Sequence, residues 1–381
     1  MLRFGFFVHP IDMHDVARVA PQAANKRQAL VEKILEWTPP HEVAHVKGLV
    51  SADGKDVEGW FIAVPLFPHQ FMNMPKEFVY EKLRKGAQIA RDKGVQILGL
   101  GGFTSIIGNG GIAMAEMVPD IPVTSGNSYT IATAVEATVE AAKRLGIDLS
   151  NATATVIGAS GSIGSCCAHL LAPQVKKMVL VARNLKRLEK IAEGIRQSTG
   201  RETSVFSDVS VGINKADIVV SATSSSGDII KAHDLKSGAL VCDVSLPHDV
   251  CREVAFLRPD VLVIEGGLVE IPQNVRLNYD FGYPDNVSLA CMAETMALCM
   301  EERFEVFSIG RGIKIENVRE ITRITKRQGF KLAGFRSFDQ LVTDKMIERV
   351  KKLKSQNVAD YLRSAIDDGS GGKSPIESKV P

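Results

Sequence analysis

A chain of 381 residues is long enough for about two domains of ordinary size. With 45% hydrophobic and 24% charged residues it reads as globular, and a net charge of +2 offers no global attraction to nucleic acid or membrane. No run of about 18 apolar residues predicts a transmembrane helix. The six cysteines lack CxxC spacing, which predicts reduced thiols in a cytoplasm, and the eight scattered histidines give no metal-ligand spacing.

The start, MLRFGFFVHPIDMHD, turns acidic too soon for a signal peptide. Arg3 to Val8 is an apolar run that predicts a first strand. Helical spacing covers Ala23 to Leu35, and Pro39-Pro40 follows. Ala44 to Val50 and Val57 to Val64 flank an Asp53-Gly54 hairpin signal. Glu77 to Lys93 predicts an amphipathic helix stopped by Gly94, and Val95 to Leu100 a buried strand leading into Gly101-Gly102-Phe103-Thr104-Ser105. A long Ala/Val/Thr helix is expected over Ser125 to Gly146.

Strands and helices then alternate from 150 to 283. Strand candidates are Ala154–Ile157, Met178–Ala182, Thr203–Phe206, Asp217–Ala222, Ala239–Asp243 and Val261–Glu265. Such alternation predicts a doubly wound parallel sheet, so the expected class is α/β: a mixed α/β N-terminal domain plus a Rossmann-like domain. Val287 to Met300 is nearly all apolar and predicts a buried helix capped by Asp285 or Asn286. Ile315 to Lys326 predicts another helix, and from Arg336 onward the pattern is basic and helical. Residues 311–354 hold 13 Lys/Arg against 5 Asp/Glu, which suits either a solvated face or docking of an acidic partner.

The segment ATVIGASGSIGSCCAHLL carries the clearest signal. Gly158, Gly161 and Gly164 follow a strand and open a helix. In a dinucleotide-binding turn the first glycine allows the tight turn. The second admits the pyrophosphate, and the third lets helix and strand pack. The helix N-terminus offers free N–H groups to phosphate, so Ser160, Ser162 and Ile163 are expected to contact the cofactor with the glycines. Arg183 follows the next strand, where an acid would bind the ribose of NAD. A cation there, with Asn184 and Arg187 nearby, suits the 2′-phosphate of NADP instead. Ala222, Thr223 and Gly266 follow later strands, at the sheet end where ligands bind in open α/β folds.

Several ordered segments together resemble the cyanobacterial long-chain acyl-[acyl-carrier-protein] reductase family. They are LGGFTSII (100–107), TSGNSYT (124–130), VIGASGSIGS (156–165), LVARN (180–184), EGGLVE (265–270), ACMAETM (290–296) and FSIGR (307–311). The resemblance covers about residues 1–335. It implies NADPH-dependent reduction of a fatty acyl thioester, on acyl carrier protein or coenzyme A, to an aldehyde for a downstream aldehyde-consuming enzyme. It also implies an acyl-cysteine intermediate, a role that maps to Cys291.

Near a helix N-terminus a thiol pKa is expected to fall. A small core residue in an Ala/Met-rich helix is the competing reading for Cys291. Cys299, Cys166 and Cys167 suit packing, and Glu294 suits a buried hydrogen bond. Hydride addition to an acyl-cysteine creates an oxyanion, for which Thr104, Ser105 and Asn127 are candidate donors.

The expected organisation is a substrate domain at 1–125 and a connecting helix at 126–149. A NADP domain at 150–283, helices returning to the cleft at 284–335, a basic extension at 336–366 and a disordered tail at 367–381 complete it. Two other functions fit the same order. One is a shikimate- or amino-acid-dehydrogenase-like oxidoreductase acting on a small polar substrate, and the other a non-catalytic NADP-binding protein.

Overall fold

The computed structural model describes residues 1–224, 228–245, 248–338 and 340–354. The expected tail at 367–381, and the part of the basic extension from 355 to 366, lie outside the described residues. No helix among the described residues is long and apolar enough to cross a membrane.

The chain begins with β1 (Leu2–Val8), β2 (His41–Val50), β3 (Asp56–Ala63), β4 (Ile97–Leu100) and β5 (Val123–Thr124). They form one sheet in the order β2-β3-β1-β4-β5, parallel except for β2 against β3. β1 lies at its centre, so both faces must be apolar. Phe4 and Phe6 face one core and Phe7 the other, following the two-residue period. Gly59 and Gly99 make room for the Phe4 and Phe6 rings. A Cβ at either position would lie 2.1 or 2.2 Å from ring carbon.

The second sheet holds β6 (Thr153–Ile157), β7 (Lys177–Val181), β8 (Glu202–Phe206), β9 (Ile218–Ser221), β10 (Leu240–Asp243) and β11 (Leu262–Glu265). All its pairings are parallel, in the order β11-β10-β9-β6-β7-β8. The strand order reverses between β6 and β9. That switch point is where a doubly wound sheet binds dinucleotides, and the expected Rossmann-like α/β class is observed.

Three helices pack against the sheets. Asn127–Arg144 sends Tyr129 into the first core, and Ile131, Ala134, Ala137 and Ala141 into the second. Ala290–Met300 lies in the first core beside Phe6 and Ile97, and Ile315–Arg327 packs there through Ile321 and Ile324.

Three expectations are corrected. The helix expected over Val287 to Met300 begins only at Ala290, because β13 (Val287–Leu289) pairs with β12 (Leu268–Glu270). Its N-cap is therefore Leu289, without a side-chain cap, rather than Asp285 or Asn286. The helix expected from Ala23 to Leu35 spans Gln28–Trp37. After Arg336 the chain first forms a small hairpin, Arg336–Ser337 with Gln340–Leu341, and only then the helix Asp344–Leu353. Ile347 and Val350 of that helix are buried in the second core, so its basic residues are the solvated side of a packed element.

Candidate active site

The glycine turn follows β6. Gly158 has φ +75°, and a Cβ there would lie 2.3 Å from the Ala222 carbonyl oxygen beyond β9. Gly161 caps the helix Ser162–Leu171, and its N–H donates to Gly158 O at 2.8 Å. A Cβ on Gly164 would come within 2.5 Å of Gly158 O, so the third glycine sets the helix against the turn.

This turn forms one wall of a cleft of about 560 Å³. Ser160, Gly161, Ser162, Ile163, Asn184, Arg187, Ala222 and Thr223 line it. Arg183 is exposed beside this end but is not on the wall. Arg183 and Arg187 make no ion pair among the described residues, and no acid follows β7. A 2′-phosphate therefore fits here, whereas the acid that would grip an NAD ribose is missing. Asn184 Oδ1 accepts from Arg187 N at 3.0 Å, so it caps its own helix. Gly266 borders an adjoining cavity of about 60 Å³ that shares Thr130, Val244 and Cys291 with the cleft, and a Cβ on it would press on Val244 and Cys242.

Beneath the cofactor wall lies a network that the sequence reading missed. The buried Asp249 carboxylate accepts from Ser221 Oγ (2.6 Å), Ser245 Oγ (2.5 Å) and Thr223 Oγ1 (2.7 Å). Asp243 Oδ2 in turn accepts from Asp249 N at 2.7 Å. These bonds tie Ser221, Thr223, Ser245 and Asp249 together and hold Thr223 at the wall.

The opposite wall comes from the first sheet and the returning chain: Gly102, Ser105, Ile106, Asn109, Ser125, Asn127, Thr130, Gly310 and Arg311. Cys291 lies between the two walls. It occupies the first turn of Ala290–Met300 and is the one residue of that helix that is not buried. The backbone of Gly126, at φ +76°, packs directly on it. A Cβ there would lie 2.2 Å from both Cα and Cβ of Cys291.

Glu294, one helical turn on, is fully buried. Its Oε1 accepts from Thr124 Oγ1 at 2.5 Å and its Oε2 from Tyr129 N at 2.7 Å. It thus braces the cysteine helix against the start of Asn127–Arg144, the buried hydrogen-bonding role anticipated for it. Burial pushes its carboxyl pKa up.

Burial also pushes the Cys291 thiol up to about 12, with Glu294 adding to the rise; the Met292 and Cys291 N–H groups pull the other way. The expected fall from the helix dipole is therefore reversed, because one open side does not offset an apolar helix packed around the others. Cys166 is buried and donates to Ile313 O at 3.2 Å, while Cys167 and Cys299 are buried in the cores. These are packing positions, as anticipated.

The three candidate oxyanion donors separate. Thr104 is fully buried off the cleft wall, and its hydroxyl donates to Gly101 O at 2.7 Å. Ser105 reaches the wall, but its hydroxyl donates to Gly102 O at 2.7 Å. Both protons complete the turn after β4. Asn127 also lines the cleft, and its side-chain amide makes no hydrogen bond among the described residues. The turn has a further support in His9. Its Nε2 accepts from Phe103 N at 2.8 Å, leaving Nδ1 to donate to Pro10 O at 2.9 Å. Burial lowers its pKa to about 4, consistent with a neutral ring. His248 borders the small cavity, with Nδ1 3.6 Å from Asp243 Oδ2.

A family model described as shikimate / quinate 5-dehydrogenase matches residues 140–264. The chain is 30% identical over 306 residues to a long-chain acyl-[acyl-carrier-protein] reductase of Synechococcus elongatus, covering 77% of this chain and 87% of that protein. It is also 30% identical over 310 residues to the aminotransferase PigE of a Serratia species. That match covers 80% of this chain but spans only 36% of the relative's length. The nucleotide-binding domain of Thermoplasma volcanium glutamyl-tRNA reductase is similar at 22% identity, with a TM-score of 0.26 over 35% of this chain and 84% of that one.

Proposed function

The chain belongs to the long-chain acyl-[acyl-carrier-protein] reductase family, and from that premise we propose that it reduces a fatty acyl thioester to an aldehyde through an acyl-cysteine on Cys291. It is an NADP-dependent reductase, and its cofactor is NADPH. The observation that carries the proposal is the opening of Cys291 onto the same cleft as the glycine turn.

Cys291 Sγ attacks the thioester carbonyl of acyl carrier protein or coenzyme A. The C–S bond to the carrier breaks, and the thiol proton leaves with the carrier sulfur. A neutral thiol suffices for balance, because one thiol and one thioester are exchanged for another pair. NADPH, which the glycine turn and the Arg183 and Arg187 corner would hold, would supply the hydride that reduces the acyl carbon. The Asn127 amide and the N–H groups at the start of Ala290–Met300 are the donors near the developing oxyanion. The oxyanion takes a proton from water to give the hemithioacetal, whose C–S bond then breaks as its hydroxyl proton passes to sulfur, releasing aldehyde and restoring the thiol. The product suits an aldehyde-consuming enzyme downstream.

The competing small-polar-substrate dehydrogenase has support from the family match at 140–264, which ends before Cys291. Intact mass and aldehyde are measured after incubation with an acyl thioester, with and without NADPH. An acyl adduct without NADPH, aldehyde with it, and loss of both in Cys291→Ala are expected. An unmodified Cys291 and no aldehyde from acyl carrier protein or coenzyme A donors would sink the proposal. Dehydrogenase activity that survives Cys291→Ala would favour the alternative.

A further inference from the structure

Two charged side chains line the cleft among the described residues, and both are arginines, Arg187 and Arg311. No Asp or Glu stands on that described wall. Arg187 lies at the adenosine end, beside Asn184. The N-terminus of Ser162–Leu171 provides the cradle for a pyrophosphate. The dinucleotide phosphates therefore have their own partners, and Arg311 is left over.

Arg311 is exposed and makes no ion pair or hydrogen bond among the described residues. Its backbone is nevertheless held on both sides. Gly310 N donates to Gly110 O at 2.7 Å, with φ +80° at Gly310. A Cβ on Gly110 would lie 3.0 Å from Gly310 Cα, so the two loops touch. Two residues beyond Arg311, Ile313 O accepts from Cys166 Sγ in the glycine-turn helix. A fixed base carrying an unpaired guanidinium on an acid-free wall is a receptor for an anion.

We propose that Arg311 binds the phosphate of the pantetheine arm that presents the acyl group, a phosphate common to coenzyme A and acyl carrier protein. The inference rests on the acyl-thioester reading of Cys291. The arm would enter along Ser105, Ile106, Asn109 and Gly310, the wall opposite the cofactor. A phosphate anchored there would make the carrier itself part of substrate recognition.

The test is equilibrium binding of 4′-phosphopantetheine and of pantetheine, with saturating NADP⁺ occupying the dinucleotide end. In the unaltered protein phosphopantetheine is expected to bind at least about tenfold more tightly. In Arg311→Gln the difference should fall below about twofold, with partial recovery in Arg311→Lys and NADPH affinity within about twofold of the original. Equal binding of the two ligands by the unaltered protein would overturn the proposal. So would a weakened NADPH affinity in Arg311→Gln, which would assign the arginine to the pyrophosphate. A protein that keeps the phosphate preference but forms no aldehyde retains this site and loses the reductase reading. Aldehyde formation with no phosphate preference has the opposite meaning.

Discussion

A methyl group at Gly126 would collide with the backbone and side chain of Cys291 at 2.2 Å, so this glycine sets where the thiol stands. Gly126→Ala is expected to lower kcat for aldehyde formation at least about a hundredfold, since small misplacements of a reacting group are costly. NADPH affinity should stay within about threefold, because the glycine turn is formed elsewhere. Stopped-flow reduction and cofactor titration check the two halves. The thiol itself predicts a pH dependence. With its pKa raised to about 12, thiolate is scarce at neutral pH and increases about tenfold per pH unit. Alkylation of Cys291 by iodoacetamide, followed by peptide mass, should therefore keep accelerating beyond pH 9. A plateau near neutrality would show a depressed pKa instead. The residue type and position of Cys291 were readable in the sequence. The direction of its pKa was not, because the apolar shell comes from β1, β4 and two other helices.

At the scale of elements, the glycine turn was fully legible. Its spacing prescribes a turn, an approach and a close packing, and Gly158, Gly161 and Gly164 meet the corresponding contacts. The basic corner after β7 was legible as well, since the position after that strand is fixed by the fold. Arg183→Gln combined with Arg187→Gln is expected to weaken NADPH binding about 10- to 100-fold and leave NADH nearly unchanged. Fluorescence titration with both cofactors distinguishes this from general damage, which would weaken both. The start of the cysteine helix was not legible. Val287, Ser288 and Leu289 continue an apolar helical pattern, but the partner strand Leu268–Glu270 draws them into a sheet. The effect is to move Cys291 into the first helical turn, closer to the free N–H groups.

Across the whole molecule, the two sheets share their helices. Asn127–Arg144 contributes to both cores, and the cysteine helix, late in the chain, completes the core of the first sheet. The protein is therefore expected to unfold in a single calorimetric transition in which both sheets are lost together. Two resolved transitions, or a stable proteolytic fragment of residues 1–125, would contradict this coupling. The last described helix, Asp344–Leu353, joins the same unit through Ile347 and Val350. Its exposed lysines form the solvated side, and its apolar face determines its place.

The sequence by itself determined the elements whose signal is local: the strand alternation, the glycine turn, the cation after β7 and the cysteine in its apolar helix. Only the tertiary structure decided which of those groups are available. Thr104 and Ser105 looked equivalent to Asn127 as donors, yet their protons are held by carbonyls three residues back, in a turn that His9 supports from the far end of β1. Glu294 meets Tyr129 across 165 positions, and Gly126 meets Cys291 across a similar gap. Periodicity reports the neighbours along a strand or helix, and carries no information about what packs against it from a distant part of the chain.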